Sequence, residues 1–181
     1  DECVKILNVH ILNKYAGVDG KPPLVTALDT EDDDAIWVLL EHDADPNEVD
    51  EYGQNALHHA AWKGCRPPLF QRVVARIHDV NTVHNYGRTA LMYAAESNQL
   101  DVVISLMNHP GIDLNVQDRY NDTALHWAVS NNHPAIVSQL LSDDKIDASL
   151  KDYLNRTALK LAIDRGRAEC VTILRQHGAP E

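Results

Sequence analysis

Ten histidines and three cysteines are the side chains through which this 181-residue chain could bind a metal or carry a nucleophile. A zinc site needs three or four ligands converging at characteristic spacings, and Cys3, Cys65 and Cys170 are too widely separated to include a C-x-x-C pair. His58 and His59 are neighbours, so on a helix their rings diverge. No H-E-x-x-H, G-x-S-x-G, phosphate-binding glycine loop or kinase motif set occurs. One nucleophile candidate remains: Cys65, beside Arg66 and near His58 and His59, whose positive charge would lower a thiol pKa. No orienting third group completes that site. The expectation is a chain with no catalytic residue, no metal and no cofactor.

What positions these side chains is a repeat. GKPPLVTAL, GQNALHHAA, GRTALMYAA, NDTALHWAV and NRTALKLAI are five versions of one segment, anchored at Leu24, Leu57, Leu91, Leu125 and Leu159. A fixed period of 33 or 34 residues is the signature of a solenoid, in which each unit buries its apolar face on its neighbours. Four positions before each leucine stand Gly20, Gly53, Gly87, Asn121 and Asn155, residues suited to a left-handed turn. Two positions before it, Asn55, Thr89, Thr123 and Thr157 can cap a helix. Ala27, Ala60, Ala94, Ala128 and Ala162 follow three residues after the leucine and allow a neighbouring helix to approach closely. After a break at Gly64, Asn98, Asn132 or Gly166 comes a second amphipathic segment. ECVKIL at 2–7 matches ECVTIL at 169–174, so the chain is expected to open on the outer helix of an earlier unit and to be a slice of a longer array.

The pattern resembles the ankyrin repeat, whose core reads D-x-x-G-x-T-P-L-H-x-A. The resemblance implies an all-α ankyrin-repeat solenoid of helix-turn-helix units joined by β-turn fingers. Its expected divisions are a partial repeat at 1–16, then repeats at 17–49, 50–83, 84–117, 118–151 and 152–181. Departures are informative. Alanine replaces the family proline at positions 56, 90, 124 and 158. Pro22 sits where a threonine should cap the first helix. The second repeat slips by one residue near Pro67 and Pro68, so its second helix should start late. The third and fourth carry an extra residue in NHPGIDLN and SDDKIDAS, which a loop can absorb. His58 and His126 fall on the family's L-H position, where the ring usually bonds local backbone and braces the turn.

Counting 100° per residue from each leucine turns positions +2, +5 and +6 away from the core. Under the resemblance that direction is a concave groove. It would receive His59, Trp62 and Lys63, then Tyr93, Glu96 and Ser97, then Trp127, Ser130 and Asn131, then Leu161, Asp164 and Arg165. Beside the turn residues run Tyr52, Tyr86 and Tyr120, with Leu154 continuing the column and Arg88, Arg119 and Tyr153 next to it. Tyrosine and tryptophan are favoured binding anchors, being large, rigid and polar at one tip. The expected partner-binding set is therefore Tyr52, His59, Trp62, Tyr86, Arg88, Tyr93, Arg119, Tyr120, Trp127, Asn131, Tyr153 and Leu161. For Tyr93 and Trp127, packing between repeats is an equally good reading.

The formal charge of −11 is uneven: between Lys21 and Lys63 there are eleven acids and no Lys or Arg. Such a surface repels nucleic acid, which is not expected as a direct partner. The acids Asp32, Asp33 and Asp34 would mainly favour a helix start; the sharper reading is steering of a basic peptide toward the N-terminal repeats. With 44% hydrophobic residues, no apolar run near membrane-spanning length and no disulfide pattern, we expect one soluble domain in a reducing, cytoplasmic or nuclear setting. On the family analogy it binds a protein or peptide and is monomeric on its own. It could instead be the targeting or autoregulatory region of a larger enzyme, channel or ubiquitin-ligase component, or sequester a transcription factor.

Overall fold

The computed structural model describes residues 14, 15 and 20–181; the outer helix expected from ECVKIL lies outside them. The described residues hold ten helices and no strand. Five inner helices, α1 (Pro23–Asp29), α3 (Ala56–Lys63), α5 (Ala90–Glu96), α7 (Ala124–Ser130) and α9 (Ala158–Asp164), alternate with five outer ones. The outer helices are α2 (Asp33–Glu41), α4 (Pro67–Val74), α6 (Leu100–Met107), α8 (Pro134–Leu141) and α10 (Ala168–Gln176). Each inner helix packs on its own outer helix and on the inner helices of adjacent units, which makes a two-layered solenoid.

Local chemistry sets each boundary. Asn55, Thr89, Thr123 and Thr157 each accept a hydrogen bond from a first-turn amide of the helix they precede, whereas Pro22 offers α1 no side-chain cap. Gly53, Gly87, Asn121 and Asn155 all have positive φ at the fingers, as do Gly64, Asn98, Asn132 and Gly166 between the paired helices. Glu31 occupies the same left-handed position in the first unit, a place no glycine or asparagine marks. The anchoring leucines are buried, and the five alanines three residues on are fully buried, so the inner helices pack without intervening side chains.

The one-residue slip in the second unit is real. Helix α4 starts ten residues after Leu57, where its counterparts start nine after their leucines. Pro67 and Pro68 open it without a side-chain cap. A cleft of about 520 Å³ lies between α4 and α6, lined by Cys65, Phe70, Val102 and Ile104 among others.

On the outer side a further period of 34 appears. Asn47, Asn81 and Asn115 donate through Nδ2 to the carbonyls of Arg76, Gly111 and Lys145 in the next unit. Their Oδ1 atoms accept from the amides of His78, Asp113 and Asp147. The loops carrying the extra residues are stitched to their neighbours by this ladder.

Candidate functional site

The fingers are short two-armed turns. The two arms of each are joined by a backbone bond, Asp50 N to Gln54 O, His84 N to Arg88 O, Asp118 N to Asp122 O and Asp152 N to Arg156 O, and a second bond closes the tip, from Gly53 N, Gly87 N, Asn121 N and Asn155 N back to the carbonyl of the same base residue. Neighbouring fingers are joined by bonds from Asn85 N to Tyr52 O, Arg119 N to Tyr86 O and Tyr153 N to Tyr120 O. Side chains at the finger base complete the turn. Asp50, Asp118 and Asp152 each accept from the amides two and four residues on, and His84 Nδ1 accepts from Tyr86 N.

These base residues explain position +2 of the inner helices. His59 Nε2 lies 3.1 Å from Asp50 Oδ2, Tyr93 Oη 2.8 Å from His84 Nε2, and Trp127 Nε1 3.1 Å from Asp118 Oδ2. In the last unit Leu161 has no polar reach, and Arg156 takes the carboxylate of Asp152 instead, at 2.7 Å. The side chains at +2 thus pin the finger to its helix.

The structure removes His59 and Leu161 from the expected groove surface, and for Tyr93 and Trp127 it shows the packing alternative. His59 is buried, with Nδ1 facing Asp29 at 2.7 Å and Nε2 facing Asp50. Leu161 is core, sealed by its neighbours. Tyr93 is 9% exposed, its hydroxyl shared between His84 and Gln54. Trp127 is half-buried, and the Arg88 guanidinium lies 3.6 Å from its ring centroid. Arg88 is itself held by Glu96 at 3.0 Å and lies 3.7 Å from Asp118. A helical wheel counts angle only, and the finger folded back over position +2 covers what the wheel leaves open.

The remaining candidates lie on the surface. Tyr52, Tyr86 and Tyr120 are about half exposed (50%, 51% and 50%), and Trp62, Arg119, Asn131 and Tyr153 are exposed as well. Tyr120 and Tyr153 approach at 5.8 Å between ring centroids. A depression of about 350 Å³ lies between Tyr52, Tyr86 and Tyr120, with His84, Tyr93, Gln54 and Arg88 as its floor. A second of about 420 Å³ continues it past Trp62 and Lys21. The finger-base Asp and His were missed in the sequence. Their signal was a polar residue recurring at 50, 84, 118 and 152, nine before each position +2.

Burial tunes the ionisable groups against catalysis at Cys65. Its thiol is pushed up to about 12, by desolvation and then by Asp33, which is opposite to what a nucleophile needs. His58 is lowered to about 4 by burial and by the facing His84, so it is a neutral brace. Its Nε2 reaches the carbonyl of Thr82 at the end of its own unit and that of Arg88 in the next, as Nε2 of His126 reaches that of Arg156. Among the described residues no group of three His, Cys, Asp or Glu side chains could hold a metal ion.

The acidic run is partly compensated. Lys14 pairs with Asp32, Lys21 with Asp29, Lys63 with Glu31, Arg66 with Asp33, Arg72 with Glu41 and Arg76 with Asp43. Among the described residues, no Lys or Arg pairs with Asp34, Glu48 or Glu51. No helix among them is long and apolar enough to cross a membrane.

The sequence pattern of ankyrin repeats matches this chain in three overlapping copies, over residues 1–75, 44–118 and 111–180. No curated protein matches it. Capped inner helices, left-handed fingers and a matched pattern along nearly the whole length lead to one conclusion: the chain belongs to the ankyrin-repeat family.

Proposed function

We propose that this chain is a protein-interaction module that presents its fingers and the adjoining inner-helix surface to a peptide segment or domain of a partner. Ankyrin repeats are generally protein-protein interaction modules. The observation that carries the reading here is the row of half-exposed tyrosines around a depression whose floor is fixed by hydrogen bonds. A surface held rigid before binding loses little conformational entropy on association. Tyr52, Tyr86 and Tyr120 are the anchors of this reading; Tyr93, Trp127 and His59 hold the floor beneath them.

Affinity capture from lysate, comparing the chain with a Tyr52→Ala, Tyr86→Ala, Tyr120→Ala variant, tests it. Only side chains beyond the finger backbone are removed, so the circular dichroism spectrum should be unchanged while captured partners are lost. Partners retained at full yield by the folded triple variant refute the reading. Steering of a basic partner is a weaker element, because six of the acids in the run already hold a Lys or Arg.

A further inference from the structure

The hydrogen-bond pattern of the fingers fixes the distance between their tyrosines. Each repeat contributes one bonded step within a finger and one between fingers, as in Asp50 N to Gln54 O followed by Asn85 N to Tyr52 O. A hydrogen-bonded step between extended segments spans about 4.8 Å, so Tyr52, Tyr86 and Tyr120 recur every ~9.5 Å. A polyproline II helix advances about 3.1 Å per residue with three residues per turn, so every third side chain recurs at ~9.3 Å on one face. Alternate residues of a β-strand recur at about 6.7 Å. Two turns of α-helix take about 10.8 Å and drift out of step by more than 1 Å per repeat.

The chemistry of the row agrees with its pitch. The finger backbone is already used in its own ladder, so it offers no strand edge to an incoming chain. What it offers is ring faces and, among the described residues, tyrosine hydroxyls without a protein partner at positions 52, 86 and 120. Polyproline II has no internal hydrogen bonds, so its carbonyls are free to accept from such hydroxyls, and its proline rings pack on aromatic faces. Charge varies along the row. The exposed residue preceding each tyrosine is Glu51, then Asn85, then Arg119, so the sign runs from negative through neutral to positive. Arg119 also lies 5.6 Å from the Tyr86 ring centroid and extends its stacking surface.

We propose that the finger row docks a proline-rich segment in polyproline II form, with proline at every third position, a basic residue over Glu51 and an acidic residue over Arg119. This rests on the fingers being the partner-binding surface. The test is calorimetric titration of the chain, with amide chemical-shift mapping, against Lys-Pro-Ala-Ala-Pro-Ala-Ala-Pro-Asp. Two comparison peptides are Lys-Pro-Ala-Ala-Ala-Pro-Ala-Ala-Ala-Pro-Asp, with proline at every fourth position, and one with the terminal charges exchanged. Binding should be at least about tenfold tighter for the every-third spacing and should move the finger amides. Tyr86→Ala should weaken it at least about fivefold, the loss expected of a packed aromatic anchor. The chain should discriminate between the two charge orders, and the double variant Glu51→Lys, Arg119→Glu should invert that preference. Equal affinity for both spacings, or indifference to charge order, overturns the proposal. Absence of peptide binding, with captured partners still lost in the triple tyrosine variant, overturns it and leaves the interaction surface standing. Shifts confined to the outer helices overturn both.

Discussion

Asn55→Thr should stabilise this protein, although asparagine is the better helix cap in isolation. Asn55 Oδ1 accepts from the amides of Leu57 and His58, at 3.1 and 3.3 Å, and so caps α3. The same oxygen sits 2.7 Å from Nδ1 of His58. That nitrogen already accepts from the Asn55 amide, and Nε2 of the ring must donate to the carbonyls of Thr82 and Arg88, so Nδ1 carries no hydrogen. Two lone pairs therefore face each other in a buried site. A hydroxyl resolves the conflict because it accepts and donates at once. Thr123 accepts from the His126 amide at 3.4 Å and lies 2.9 Å from His126 Nδ1, to which it donates. A neutral buried hydrogen bond contributes about 1 kcal/mol, and relief of the acceptor contact adds to it. The weaker intrinsic capping of threonine costs a few tenths of a kcal/mol. The net gain is about 1 kcal/mol, or roughly 2–4 °C in melting temperature for a chain of this size. Chemical denaturation of the wild type, Asn55→Thr, His58→Ala and the double variant measures it, and the gain should vanish in the His58→Ala background. An Asn55→Thr variant no more stable than wild type, or a gain that persists without His58, would refute the tautomer on which the reasoning stands.

Three further outcomes can be measured. His59→Ala removes the partner of a buried carboxylate; because Asp50 keeps its two backbone donors, urea denaturation should show a loss of about 2 kcal/mol, and a loss under about 0.5 would mean the bridge is idle. The Asp122 carboxyl is raised from 3.8 to about 6, by burial and then by Asp118 and Asp152, so the native state holds a proton that the unfolded chain has released. Stability from that group is present below pH 4 and lost as the pH rises through about 6. Asp122→Asn should therefore gain about 1 kcal/mol at pH 7, after allowing for solvent screening, and nothing at pH 4. A gain independent of pH would contradict this. With its thiol held near 12, Cys65 should resist iodoacetamide at pH 8 in the folded protein and react in urea, as peptide mapping would show; equal labelling in both states would remove the burial argument.

Most of the architecture was written in residue types whose physical demands are local. A glycine or asparagine at a left-handed turn, a threonine at a cap and an alanine at a close helix contact each act within a few bonds, so a period of 34 made them visible together. The late start of α4 was legible for the same reason, since a one-residue slip breaks a period. The direction of the +2 side chains was not. It depends on a finger whose base stands nine residues before position +2 and folds over it, and on whether the residue at +2 can bond what it meets there. His59, Tyr93 and Trp127 can; Leu161 cannot, and Arg156 stands in. The acidic run was misleading as a count, since its compensating cations come from Lys14 and Lys21 on one side and from Lys63 and the arginines of α4 and its flanks on the other.

The pinning of fingers to helices bears on which units of the array are portable. The bonds of Asp50 with His59, His84 with Tyr93 and Asp118 with Trp127 each lie inside one unit, and a transplanted unit would carry them intact. Others cross a border: Asp29 to His59, Gln54 to Tyr93, and the Arg88 guanidinium on Trp127. The first three full units and the fourth thus have assigned neighbours. Reordering them would preserve every turn, cap and leucine, but His59, the Tyr93 hydroxyl and the Arg88 guanidinium would each lose one partner at the new borders, so the array is modular in its backbone and fixed in its sequence of units.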